Sequence, residues 1–491
     1  MLRQRHGGIQ RLHACRILTV CLTVCSAAAV ALAAASGARA DSLLDTLAQA
    51  YSYSPQLDAE RARLRATDED VARANSGYRP DIRGTADIGY ERSETRPTLG
   101  SNGSNNPRGY AVQLVQPIFR GFQTTNAVNA AEAAVRAGRE TLRNVEQQVL
   151  LDAVTAYGNV VRDQSIVRLR ENNLNFLSTE LRATRDRFAV GEVTKTDVSQ
   201  AEARRALGQS ELDLARANLN SSRAIYLQVV GTPPSNLRDA NSSSRLLPKS
   251  LDEAVAIGTR ENPQVVAALY AEQGAKFQVE QIRGELLPDV SVEATYSDRF
   301  NPSRIINESE TASIVGRMNV PIYANGGETH ARVRQAKHTH LSRIQEIEQA
   351  RAAAQSQVAQ AWAQLTGFKA QQESDKAQIA ANQTALNGVR EEEKVGQRTL
   401  IEVLNAQQEL LQAQVQLETT KRNVLVATYS VISAIGRLSV AEVGAASTVY
   451  DPEIHYSEVR RKWWGIDITH DDGRQEHMDL WNARVEHEPV K

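Results

Sequence analysis

The feature that most constrains this 491-residue chain is that it repeats itself. AVGEVTKTDVSQA at 189–201 and KVGQRTLIEVLNA at 394–406 share Val190/Val395, Gly191/Gly396, Thr194/Thr399, Val198/Val403 and Ala201/Ala406 at a constant offset of 205. Asp197 meets Glu402, an acid for an acid. The echo spreads outward. SLLDTLAQAYSYSPQL (42–57) answers SLDEAVAIGTRENPQV (250–265), Pro80 answers Pro288, QPIF (116–119) answers VPIY (320–323), and AVTAYGNVV (153–161) answers VAQAWAQLT (358–366). Anchors that keep one order over some two hundred residues mark a duplicated unit rather than chance similarity. The expected organisation is a leader over 1–40, a first copy over 41–240, a polar linker over 241–249, a second copy over 250–440 and a polar tail over 441–491.

The leader has the three parts of a secretory signal peptide. Arg3, Arg5, Arg11 and Arg16 form a basic region without acids, 17–35 is apolar, and Ala38-Arg39-Ala40 offers a cleavage site before Asp41. All three cysteines, Cys15, Cys21 and Cys25, fall inside it, so the mature chain is expected to hold no disulfide and no thiolate site. Val24 is too large for a lipid-attachment signal at Cys25. Cleavage removes five arginines and no acid, leaving a mildly acidic protein with no nucleic-acid signature. Beyond residue 40 no apolar run is long enough for a membrane helix. A β-barrel, whose sequence signal is far weaker, stays open.

Each copy opens on a helical pattern that stops at Pro80 or Pro288, where proline removes a donor and crowds the preceding turn. The period then changes from 3.6 to 2. Ile82, Ala86, Ile88 and Tyr90 alternate with Arg83, Thr85, Asp87 and Glu91; Val290, Val292, Ala294 and Tyr296 alternate with Ser291, Glu293, Thr295 and Ser297. Polar loops over 98–108 and 301–309 follow, and second strands return through Tyr110–Leu114 and Ile314–Val320. One hairpin per copy, of strands about 9–11 residues long with one apolar face, suits a tilted membrane strand. A hairpin packed on helices is the alternative.

From Gln123 to Arg187 there is no proline. Val160, Val167, Leu174, Leu181 and Phe188 recur every seven residues, a coiled-coil seam. A helix of that length reaches on the order of 100 Å. The duplicated phrase then breaks it. Gly191 suits a helix end, and Thr194 or Thr196 a helix start. The phrase is thus the tip of a helical hairpin, and the chain carries two. Four strands cannot close a barrel, and an open edge is not tolerated in lipid. Three chains supply twelve strands, enough to close around an open interior. The fold class expected from the residues is therefore α+β: four strands and two long helical hairpins per chain, in an oligomer that closes the strands around a pore.

Enzyme signatures are missing. AVGEVTKT lacks the Gly-Lys-Ser/Thr ending of a phosphate loop, and neither G-x-S-x-G nor H-E-x-x-H occurs. His338 and His340, two apart, lie on different helix faces. His455, His470, His477 and His487 are spread among acids, the pattern of a polar tail rather than a metal site. No cofactor is expected.

With the duplication, the QPIFRGF and VPIYANGG turns and the VGxxTxx(D/E)VxxA tips in view, the chain resembles the TolC family of bacterial outer-membrane efflux proteins over nearly all of 41–440. That resemblance implies a homotrimer whose twelve-stranded β-barrel sits in the outer membrane of a Gram-negative bacterium and is continued by a long α-helical coiled-coil barrel that crosses the periplasm. It implies a passive exit duct for efflux or type I secretion, joined through a periplasmic adaptor to an inner-membrane transporter. It implies a periplasmic gate in which Arg398 of the second tip faces Thr196 and Asp197 of the first, with Glu402 as an acidic ring in the pore. Val190, Gly191, Thr194, Val395, Gly396 and Thr399 then form the tips that meet the adaptor. Two positions depart from the family pattern: Asn405 stands where a second acidic ring is expected, and Glu393 where a gate tyrosine is common. The competing reading is a soluble periplasmic coiled-coil adaptor or scaffold, which accounts for the helices and tips but not for four amphipathic strands.

Overall fold

The computed structural model describes residues 42–470, apart from 95, 97–102, 236, 239, 241–243, 324 and 446–447. The expected leader, part of the linker, part of the 98–108 loop and the end of the tail, with His477 and His487, lie outside the described residues.

Each half opens in the same way. Ser42 and Asp45 close a capping box on α1 (Leu43–Tyr53), and Ser54 caps α2 (Pro55–Asn75), which has proline in its first turn. In the second half Ser250 caps α5 (Leu251–Glu261) and Asn262 caps α6 (Pro263–Gly284). A polar N-cap satisfies an orphan N–H, and proline loses nothing where no helical bond is due.

The chain then turns into strands. β1 (Asp81–Ile88), β4 (Arg108–Arg120), β5 (Asp289–Ser303) and β6 (Ile306–Asn319) form one antiparallel sheet in the order β1-β4-β5-β6. The two copies thus meet at β4–β5, while β1 and β6 are left as edges. The register confirms the alternation. Ile82 pairs with Leu114, Leu114 with Ala294 and Ala294 with Ile314, all on one face. The other face is polar, with Arg299 paired to Asp87 (3.1 Å) and Arg317 to Glu293 (2.8 Å).

Two expectations need correction. The strands run from 8 to 15 residues: most of the 301–309 stretch is strand, carried past a register shift between Phe300 and Ser303 to a turn between Ser303 and Ile306. Its polar residues read as loop, yet Ser303 and Ser309 pair in the ladder while Asn301, at φ +50°, sits at the irregularity. In the first copy a small ladder, β2 (Glu91–Ser93) with β3 (Gly103–Asn105), stands where a loop was expected.

At the foot of β4, Gly121 (φ +57°) turns the chain into α3 (Gln123–Ala189). A Cβ there would lie 2.2 Å from the Gly284 carbonyl, so only glycine fits between the end of α6 and the start of α3. α3 and its counterpart α7 (Glu328–Lys394) each have 67 residues, about 100 Å of helix. α4 (Lys195–Val230) and α8 (Leu400–Ala434) return antiparallel to them. No helix among the described residues is long and apolar enough to cross a membrane.

Two cores lie halfway along, and the first also takes in Leu425, Tyr429 and Ile432 of the second copy. Leu47 and Leu57 pack with Leu150, Tyr157 and Tyr226 in the first, and Ala254 with Val358, Leu365, Val431 and Ile435 in the second. Each fully buried leucine contributes about 1.5–3 kcal/mol. Two tyrosine hydroxyls in the first core find partners: Tyr226 meets Thr46 at 3.0 Å, and Tyr157 donates to the Arg238 carbonyl at 2.7 Å. The heptad seam holds through Val160, Val167 and Leu181, but Phe188 at its end is 46% exposed. The tail continues as α9 (Val440–Val443) and α10 (Pro452–Val459), which docks on α2 and α3.

Candidate functional site: the helical tips

The two tips are built alike. α3 ends at Ala189, and Gly191 (φ +84°) donates its N–H to the Phe188 carbonyl at 3.0 Å. α7 ends at Lys394, and Gly396 (φ +76°) donates to the Glu393 carbonyl at 2.9 Å. A left-handed glycine lets the chain reverse without strain. Thr194, not Thr196, caps α4: its N–H donates to Asp197 Oδ2 at 2.9 Å, and its hydroxyl accepts from the Asp197 N–H. Thr399 caps α8, donating its N–H (2.8 Å) and its hydroxyl (3.0 Å) to Glu402 Oε2. Thr196 is exposed in the first turn of α4. Val190 and Val395 stand out at 72% and 70% exposure.

The acid at position three of each tip therefore works locally. Backbone and hydroxyl donation from Thr194 hold the Asp197 carboxyl below its ordinary range. Glu402 is held low by the Thr399 N–H first and then by Arg398. Arg398 donates to Glu392 Oε2 at 2.8 Å and to Glu402 Oε1 at 2.9 Å, and these acids raise its pKa. Within one chain Arg398 is thus held by its own hairpin, and Asp197 by its own cap. Their expected meeting is not made inside a subunit.

A different set of residues joins the two hairpins. Arg187 Nη1 lies 2.6 Å from Glu393 Oε1 while its Nε reaches Glu192, and the Glu393 bond is the largest cause of its raised pKa. Arg204 donates to Asn405 Oδ1 at 2.6 Å. Arg390 lies over the Phe176 ring at 4.8 Å and within 3.8 Å of Glu180, whose carboxyl burial pushes up. Under these pairs Leu386, Val403 and Leu410 pack with Phe176. Glu393 and Asn405, noted above only as departures from a pattern, are thus the acceptors of cross-hairpin bonds. The sequence does hold one signal for the missed Arg187. At the same offset of 205 it faces Glu392, a charge reversal between copies.

Comparison with known proteins decides what these tips belong to. The outer membrane efflux protein family matches residues 46–244 and again 259–437. The chain belongs to that family. The efflux channel is 39% identical to the outer membrane efflux protein BepC of Brucella suis, over 88% of this chain and 93% of that one. It is 24% identical to the outer membrane protein TolC of Escherichia coli, over 81% and 83%. The CmeC outer membrane channel of Campylobacter jejuni has the same fold, with a TM-score of 0.72 at 16% identity over 85% of this chain and 89% of that one. The protein is thus an outer-membrane transport channel with a periplasmic helical extension, not an enzyme. The soluble-adaptor reading is set aside.

Proposed function

We propose that three copies close the sheet into a twelve-stranded barrel and the long helices into one tapering tube. The tube conducts cargo passively from an inner-membrane transporter and periplasmic adaptor to the exterior. One observation carries this reading: a four-stranded sheet with an apolar face and two unpaired edges stands directly on helices about 100 Å long. Pairing β6 with the β1 of a neighbour removes both edges, as lipid requires.

In this reading the tips are the gate. Arg398, Thr196 and Asp197 face one another across subunit boundaries, and three Glu402 carboxylates ring the opening and favour cations. Arg398, already between two acids of its own hairpin, exchanges one of them for Asp197 of the next chain at little cost, because solvent screens such exposed pairs and each is weak. The exposed Val190 and Val395, with the Gly191–Thr194 and Gly396–Thr399 turns, are the surface offered to the adaptor. The Brucella relative is named an efflux protein, which favours efflux over secretion as the task.

Purification in detergent tests the assembly. Three chains per particle with a central hole by electron microscopy are expected; a monomer without a hole sinks the proposal. Deleting the gene and measuring dye accumulation beside secreted protein tests the cargo. Increased dye retention with unchanged secretion is the expected result.

A further inference from the structure

The tail belongs to neither copy, yet it follows a definite path. The Tyr450 N–H donates to the Tyr51 hydroxyl at 3.1 Å. His455 Nδ1 lies 3.0 Å from Oδ2 of the buried Asp68, and Glu453 pairs with Arg139 at 2.7 Å. Tyr456 packs on Val71 and Val135, and Arg460 pairs with Glu132 at 3.1 Å. The climb ends at Arg79, whose guanidinium lies 4.9 Å from the Trp463 ring centroid and 3.4 Å from its carbonyl oxygen. Arg79 is two residues before the first residue of β1. A chain of local contacts thus brings two tryptophans to the level where helices become strands. There they are left bare, Trp463 67% and Trp464 90% exposed.

The contacts of α3 show on which side of the wall this happens. Ala130 and Ala133 face α6 at Gly274, while Gly138 faces α2 at Leu64 and Thr124 faces Gly77, in the turn just past α2. Glu132 and Arg139 face the tail. At about 100° per residue, the tail direction falls in the wider of the two arcs between α2 and α6. In a curved wall the wider arc is the convex, outer side.

We propose that Arg460–Trp464, the sequence RRKWW, is a membrane anchor seated in the phospholipid headgroup layer of the periplasmic leaflet of the outer membrane. Tryptophan prefers that layer because its ring is apolar and its N–H is wet. Arg461 and Lys462, beside an Arg460 already matched by Glu132, supply the positive charge that phosphates attract. The lower girdle of the barrel is otherwise thin: Tyr78, Phe122 and Tyr323 are the exposed aromatics at the feet of the strands. The tail makes up the deficit from outside the duplicated unit. The proposal rests on the membrane insertion of the sheet and adds a second, non-barrel contact with lipid.

The test uses the full chain with Trp362→Phe and Trp481→Phe, so that only Trp463 and Trp464 emit. It is reconstituted into phosphatidylethanolamine–phosphatidylglycerol vesicles whose acyl chains carry bromine close to the headgroup. Loss of emission relative to unbrominated vesicles is expected, with weaker loss for bromine deep in the chains. Emission quenched by aqueous acrylamide but not by bromine overturns the proposal, as does a blue-shifted emission that neither reaches, which would mean a neighbouring subunit covers the tail. A second protein carries Ile314→Trp on the apolar face, with all four native tryptophans changed to Phe. If Ile314→Trp is quenched and the tail is not, the anchor fails and the barrel stands. If neither is quenched, both readings fail.

Discussion

Arg187 shows how a residue acquires a role that its own copy of the sequence does not announce. Its bond to Glu393 is partly screened, since Arg187 is 42% exposed and Glu393 17%, so the pair is worth no more than about 1 kcal/mol. A double-mutant cycle on Arg187→Ala and Glu393→Ala is expected to give a coupling of that order, read from thermal unfolding of the helical part. Arg398→Ser is expected to raise single-channel conductance in planar bilayers; unchanged conductance counts against the gate. The tips also carry a pH signature. Asp197 and Glu402 have lowered pKa values in the folded tip, so their ionised forms favour it. The caps stay closed at neutral and mildly acid pH, and open only as the pH falls through the depressed values, below the ordinary carboxylate range. Amide exchange at the starts of α4 and α8 is the measurement; opening already at pH 6 would refute the capping account.

Elements were legible where a local rule sets them. Pro80 and Pro288, the alternation after them, and Gly191 and Gly396 each impose a conformation on their immediate neighbours. Gly191→Ala is therefore expected to cost about 1–2 kcal/mol, since φ +84° is left-handed, with faster exchange in the last turn of α3. A Cβ there meets nothing within 4 Å, so any larger loss would indicate a different cause. The strand lengths at 301–309 were misread because solvated strand and loop draw on the same polar residues. The cross-hairpin pairs and the docking of α10 were not legible. Arg204 with Asn405 and His455 with Asp68 are joined by packing between elements far apart in sequence, and no period or spacing encodes that. The acid at each tip was found as a residue, but its first duty as a cap partner emerged only from the backbone geometry.

At the scale of the whole molecule, the pairing inside the chain foretells the pairing between chains. β4 corresponds to β6 at an offset of 204, and β5 to β1 at 208. Leu114 lies opposite Ala294 where the copies meet, so Met318 is expected opposite Ala86 of the next subunit. Ala86→Cys with Met318→Cys should yield covalent dimers and trimers on oxidation, because Cβ atoms of opposed residues come within about 4.5–5.5 Å. Only monomeric product would exclude that register. The join at β4–β5 has a further consequence. If every seam around the ring is of one kind, the closed tube is pseudo-sixfold in outline and threefold only in its side chains. Arg187 in one half-unit and Glu392 in the other would then set alternating charge on six otherwise similar ridges. A docking protein could fit the shape in any of six orientations, but would find its electrostatic match in only three.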